Sequence, residues 1–352
     1  MTFFFRRVGL ALVFSLLSFA PALANPRLLV DAVTGEVLFA EEAGTPWHPA
    51  SLTKMMTAYV AFAALQAGRV TLDTPVIISQ KAWNQAPAKS GLEVGQGLTL
   101  RDALYVMLVK SANDVSIAIA EAVSGSVDGF VGEMNGMAAA MGLTATHFVN
   151  PNGLHNVGQV TSARDLAMLA LYIRRDFPQF LPIFETEAVT LNGRLLESNN
   201  SLLEHFAGTT GMKTGYVCNS GLNIVATVDR GGRALIAVVL GGSTARERNE
   251  LAAELMLRGL SGSYIGEGTL VMSLANEAGP PVDMKAKICG KKSKAYLAER
   301  AKAFPMGLKG KPSYLTDKIE GAVYAATVLS TGPVVALPRK RPTIFDPLAA
   351  KN

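Results

Sequence analysis

The chain has 352 residues, 49% of them hydrophobic and 17% charged, which excludes a disordered polymer and suffices for one large domain plus a smaller one. The formal charge of +5 is unevenly spread: from Ser263 onward there are 14 Lys and Arg against 7 Asp and Glu, while the remainder is slightly acidic. Such asymmetry marks either a solvated basic tail or a contact with something anionic.

Met1 to Ala24 has the pattern of a secretory signal. Arg6 and Arg7 give the positive start, Val8 to Phe19 is apolar, and Ala22-Leu23-Ala24 is a small-x-small cleavage site. The apolar run is short for a membrane span and ends at Pro21, so residues 1–24 are expected to be removed and the mature chain to begin at Asn25. No later run reads as a transmembrane helix; the nearest, Gly321 to Leu337, is broken by Gly332-Pro333. In the oxidising compartment this implies, Cys218 and Cys289 are either one disulfide or two free thiols. The four histidines have no zinc-ligand spacing, and no metal or other cofactor is expected.

Leu28 to Asp31 and Val33 to Phe39 read as two short strands about a Thr34-Gly35 turn. A loop with Pro46 and Pro49 then delivers Ser51, where a helix is expected to start and run toward Gly68, apolar enough to be buried. Val70 to Gly97 is rich in turn residues. Thr99 to Asp102 has the form of a capping box opening a helix through Lys110, and a second apolar helix spans about Val115 to Val123. Between them, Ser111-Ala112-Asn113-Asp114 is either a site loop or an Asn/Asp helix cap. A helix from Val127 to Met141 stops at Gly142, Asn150 to Gly153 is a turn, and Ser162 to Asp165 is a second capping box. Strands are expected at Ala188 to Leu191, at Gly211 to Tyr216, and in a hairpin, Leu222 to Val228 with Ala234 to Leu240. Thr244 opens a last helix through Leu257. The order predicts an α+β fold: an antiparallel sheet with packed helices plus an all-helical insert.

Chemistry concentrates at Ser51-x-x-Lys54. Residues at i and i+3 share a helix face, so a hydroxyl nucleophile would lie beside an amine that could take its proton. For this Lys54 must be uncharged, which burial against Met55 and Met56 or a nearby cation would favour. Chance alone supplies about one S-x-x-K in a chain of this size, so the pattern could also be an N-cap and a solvated lysine.

Two further short motifs decide between these. Ser111-x-Asn113 and Lys213-Thr214-Gly215 follow in order, at intervals that fit a helical insert between strands. Together the three motifs resemble those of the low-molecular-mass penicillin-binding proteins, the serine-type D-alanyl-D-alanine carboxypeptidases. The resemblance extends to Pro49 to Ala58, Thr146-His147-Phe148, Asn150-Pro151-x-Gly153-Leu154, Ser162 to Asp165 and Gly241 through Arg248, covering about Asn25 to Gly262. It implies a catalytic domain at 25–262 and a basic C-terminal region, 263–352, of unassigned fold. It also implies that Ser51 is acylated, Lys54 is its base, Ser111 relays a proton to the leaving amine, and Asn113 holds Lys54 or the substrate amide. Lys213 would keep Lys54 neutral and, with Thr214 and Arg248, attract the carboxylate of a terminal D-alanine. Gly215 would let substrate lie along the strand, and the N–H groups of Ser51 and Tyr216 would form the oxyanion hole.

The implied substrates are peptidoglycan stem peptides, with β-lactam antibiotics as inhibitors. Tyr216 and Asn199 depart from the His and Arg common in relatives. The C-terminal region departs most: it shows little strand alternation and no terminal amphipathic helix, and Pro338 to Pro342 reads as a flexible basic end. The region is expected to touch an anionic membrane or wall. Alternatives are a D,D-endopeptidase, a β-lactamase, and a wall-binding protein without activity; a class A β-lactamase needs a glutamate that Asn150 to Asp165 lacks.

Overall fold

The computed structural model describes residues 25–329. The expected signal segment and the Pro338 to Pro342 end lie outside the described residues.

Five antiparallel strands form the central sheet, in the spatial order Val37–Glu41, Arg27–Asp31, Arg233–Gly242, Gly221–Arg230 and Thr209–Val217. Side chains alternate across a strand, and here both sets are apolar. Leu29, Ile224, Ala226, Val228, Leu235 and Val239 pack with Leu251, Leu255 and Met256 of the helix Ala245–Leu260. The alternate residues Leu28, Val30, Val225, Ile236 and Val238 join the larger core shared with the helical part. Thr209–Val217 therefore stands at one edge of the sheet, and its free side faces the helices.

The helical part is built on Thr53–Gln66, buried on nearly every side as its mostly apolar composition demands. Around it lie Leu100–Val109, Asn113–Ser124, Val127–Ala140 and Ala163–Asp176. Thr99, Ser162 and Thr244 cap their helices as expected, each hydroxyl accepting the N–H three residues on. Only half of each predicted capping box forms. Asp102 accepts from Tyr324 Oη (2.6 Å), and Asp165 from Thr146 Oγ1 (2.8 Å), so both acids tie down distant chain in place of the cap N–H.

Beyond Gly262 the chain departs from expectation. It contains the helices Lys285–Ile288 and Ser293–Ala303, so the helix opened by Thr244 is not the last. It also contains strands: Ala322–Ala326 pairs parallel with Thr186–Leu191, and Val328–Leu329 pairs with Gly97–Thr99. Ala322–Ala326 turns Tyr324 and Ala326, both partly buried, onto the core, where Tyr324 stacks on Tyr105 and donates to Asp102, while its other residues are exposed. The intervening chain runs around the body, bonding to Gly35, Gly44, Pro46 and Asn219 through main-chain contacts of 2.9–3.0 Å. A disulfide joins Cys218 to Cys289. Among the described residues no single helix is long and apolar enough to cross a membrane.

Candidate active site

Three pieces of chain meet at the start of the helix Thr53–Gln66. Ala50 takes a left-handed conformation (φ 48°) and a 3-10 turn, Ala50–Leu52, leads into the helix. Ser51 is thus partly exposed at the helix entrance, and Lys54, one turn on, is completely buried. Asn223 on the neighbouring strand fixes this entrance: its Nδ2 donates to the carbonyls of His48 (3.0 Å) and Pro49 (3.3 Å), and its Oδ1 accepts from Gly241 N.

Lys54 Nζ lies 3.0 Å from Ser51 Oγ, 2.7 Å from Asn113 Oδ1 and 2.6 Å from the carbonyl oxygen of Asn152. A neutral amine has two N–H donors and one lone pair. If Asn113 and Asn152 take the two donors, the lone pair is left for the Ser51 hydroxyl. The amide of Asn113 is fixed in turn, since its Nδ2 donates to Ala86 O (2.9 Å). Of the two tasks expected of Asn113, holding Lys54 is the one this geometry contains.

Ser111 is placed by a left-handed backbone (φ 63°), an uncommon conformation for a residue with a side chain and one that clusters at functional sites. Its Oγ accepts from Lys213 Nζ at 3.0 Å, and Lys213 also donates to Thr214 O (3.1 Å). Burial, and then the charge of Lys213, hold Lys54 well below the ordinary lysine range, against an opposing effect of Asp114. Burial and the Arg248 guanidinium lower Lys213 to about 7. Burial lowers Arg248 to about 10.

Gly215 sits where the strand meets the helix entrance. A β-carbon there would lie 2.9 Å from Ser51 N and 3.0 Å from Pro49 O, closer than real side chains come. The bare α-carbon is thus used for strand-to-helix contact, a reason beyond the expected room for substrate. Tyr216, next along, is half exposed, with its hydroxyl 3.3 Å from Cys289 Sγ. Thr214 is buried. Arg248 is buried too; its Nη2 donates to Asn199 O (2.7 Å) and its Nε to Asn249 Oδ1 (2.9 Å). The position occupied by Arg in relatives therefore serves Arg248 through its main chain.

Asn152 and Asn223 carry no signal of their own in the sequence, while Asp114 enters its reading only within the Ser111 to Asp114 loop and Gly153 only within the Asn150 to Gly153 turn and the Asn150 to Leu154 resemblance. Asn152 acts through its carbonyl, which leaves no side-chain signature; the turn Asn150 to Gly153 was the available signal. Gly153 (φ +83°) is obligatory, because a β-carbon there would fall 1.9 Å from Ala50 O. Asp114 is buried and accepts from Ser90 N (3.0 Å) and Ser90 Oγ (2.7 Å), pinning the loop that carries Ala86.

Comparison with known proteins bears on this arrangement. Residues 20–244 match the family model of the S11 peptidases, described as D-alanyl-D-alanine carboxypeptidase. D-alanyl-D-alanine carboxypeptidase DacD of Escherichia coli (strain K12) is 36% identical over 240 residues, 66% of this chain and 62% of the relative. The crystal structure of penicillin binding protein 5 from Haemophilus influenzae superposes with a TM-score of 0.64 at 33% identity, covering 68% of this chain and 71% of that one. Penicillin-Binding Protein D2 from Listeria monocytogenes, solved in a cefotaxime-bound form, gives 0.61 at 30% identity and covers 67% and 97%. The chain spans about three fifths of the length of the first curated relatives it matches. With its antiparallel sheet, helical insert and three converging motifs, the chain belongs to the S11 family of low-molecular-mass penicillin-binding proteins.

Proposed function

We propose that the protein is an exported serine-type D-Ala-D-Ala carboxypeptidase that trims peptidoglycan stem peptides and is acylated by β-lactams. The observation that carries this reading is the environment of Lys54: an amine depressed by its burial and then by Lys213, with two oxygens for its protons and Ser51 Oγ at 3.0 Å.

In this mechanism Lys54 takes the Ser51 proton as Oγ attacks the penultimate D-alanine carbonyl carbon. The new C–O bond forms while the carbonyl π electrons move to oxygen, where the Ser51 and Tyr216 N–H groups receive the charge. Donors so placed typically contribute about 10² to 10³ in rate each. The tetrahedral centre collapses by breaking the C–N bond, and Ser111, held by Lys213, passes the proton to the leaving amine of D-alanine. Water then adds to the ester carbonyl with Lys54 again as base, freeing Ser51 and the shortened peptide. The leaving residue's carboxylate lies toward Lys213, Thr214 and Arg248, all within one cationic corner.

Export rests on the Met1 to Ala24 pattern, with the periplasm or the outer face of the cytoplasmic membrane as the destination. The basic residues beyond Lys285 support a peripheral contact with an anionic surface. Unchanged fractionation of a chain stopped after Leu329 would count against a role for the final segment in that contact.

The test is incubation of purified protein with a pentapeptide ending in D-Ala-D-Ala, following free D-alanine. Wild type should release it and bind a fluorescent penicillin covalently; Ser51→Ala should lose both by at least about 10³-fold. Label retained in Ser51→Ala, or no D-alanine from wild type, would overturn the assignment.

A further inference from the structure

The helix Lys285–Ile288 and its flanks lie beside the reactive strand. Cys289 is bonded to Cys218, two residues past Tyr216, and Tyr216 Oη touches Cys289 Sγ at 3.3 Å. Met284 N donates to Asn219 O (2.9 Å), Asn219 Nδ2 to Asp283 Oδ2 (3.0 Å), and Val282 N to Pro46 O (3.0 Å). The segment is thereby strapped between the end of Thr209–Val217 and the loop that precedes Ser51. Asp283 and Lys285 also act on the imidazole of His155, two residues past Gly153, which places them on the same rim.

This strap is strongly basic. Lys285, Lys287, Lys291, Lys292 and Lys294 fall within ten residues that include no acid, and all five are exposed. Nothing in the catalytic reading uses them.

Strand direction says what passes them. With the leaving carboxylate at Lys213, Thr214 and Arg248 and the reacting carbonyl opposite Gly215, the amino side of the substrate must continue past Tyr216 toward Cys218. An extended chain advances about 3.3 Å per residue, so Cys218 is about 10 Å beyond Gly215. That is the reach of the two residues preceding D-Ala-D-Ala, with lysine side chains spanning the rest.

We propose that the disulfide-strapped lysines 285–294 form a subsite for the amino side of the substrate, selecting peptides that carry free carboxylates on the two residues preceding D-Ala-D-Ala. The proposal rests on the carboxypeptidase reading and adds the chemistry of the part of the substrate that does not react. Exposed ion pairs are individually weak, so two or three together amount to about a tenfold preference, expressed in KM and weakened by salt.

The test compares two synthetic peptides with the same D-Ala-D-Ala end, one with carboxylates on the two preceding residues and one with both amidated. Wild type should favour the carboxylate form about tenfold in kcat/KM, mainly through KM, and lose most of that preference at 0.5 M salt. Lys285→Gln combined with Lys287→Gln should bring the ratio toward 1, as should Cys289→Ser, which unfastens the strap. A ratio near 1 in wild type, or one unmoved by the lysine variant, would overturn the subsite. If neither peptide is turned over, the carboxypeptidase reading fails by itself. The subsite is then judged by anisotropy of the dye-labelled peptides on Ser51→Ala protein: the same preference supports it, and equal binding removes it.

Discussion

Lys54 can act as a base only while its neighbour Lys213 keeps its proton, which ties two lysines to one pH profile. Below the depressed pKa of Lys54 the amine is charged and cannot accept from Ser51, so the rate falls on the acid side. Lys213 loses its own proton as pH rises through about 7. A neutral Lys213 no longer repels charge on Lys54 and no longer attracts the substrate carboxylate, so the rate falls on the alkaline side too. The expected kcat/KM profile for D-alanine release in the free enzyme is a bell with its alkaline limb near 7, both limbs belonging to the coupled pair. Lys213→Arg keeps the positive charge across this range, so its alkaline limb should move up by at least about one unit even where the maximum rate drops. Identical alkaline limbs in wild type and Lys213→Arg would show that Lys213 is not the titrating group.

At the scale of elements, the helix Asn113–Ser124 does two things through one turn: Asn113 grips Lys54 and Asp114 grips Ser90. The Ser90 loop carries Ala86, whose carbonyl holds Asn113, and Gln85, whose Oε1 accepts from Asn152 Nδ2 at 2.8 Å. Asp114→Asn removes a buried charge that favours protonation of Lys54, so the acid limb should move to lower pH. The same change weakens charge-assisted bonds to Ser90 N and Oγ, a loss of about 1.5–3 kcal/mol that thermal unfolding would register. An acid limb unmoved or shifted upward would remove Asp114 from the electrostatics of the site.

Much of this element plan was legible in the sequence because its signals are local. Thr99, Ser162 and Thr244 each cap a helix through a bond three residues away, and Ser51 and Lys54 meet within one turn. What escaped is long-range and carried by the main chain. Asn152 contributes a carbonyl, Ala322–Ala326 pairs with the distant strand Thr186–Leu191, and Cys218 meets Cys289 across 71 residues. None of these leaves a periodicity or a spacing to read.

For the whole molecule, the segment past Gly262 is part of what keeps the catalytic body folded, and two acids on the helix Ala245–Leu260 show why. The Glu247 side chain is completely buried, and its Oε1 accepts from Arg300 Nε at 2.8 Å; Glu250 accepts from Tyr314 N at 2.8 Å and from Ser313 Oγ. A chain ending at Gly262 would take Arg300 from Glu247, leaving it Ser243 N and Oγ, and would take Ser313 and Tyr314 from Glu250, at about 1–3 kcal/mol for each acid; it would also remove Met284, Phe304 and Leu315 and uncover the apolar residues they pack on. It would also lose the Cys218 to Cys289 link, which by chain entropy is worth about 4 kcal/mol for a loop of this length. Those losses together approach the 5–15 kcal/mol that holds a typical protein folded. Truncation at Gly262 should therefore give protein that is largely insoluble or unfolds well below the full-length chain. Cys289→Ser, which removes the link and leaves Arg300, Ser313 and Tyr314 in place, should fall between them. If the Gly262 truncation melted no lower than Cys289→Ser, the buried acids would not depend on the segment, and the stabilisation would belong to the disulfide alone.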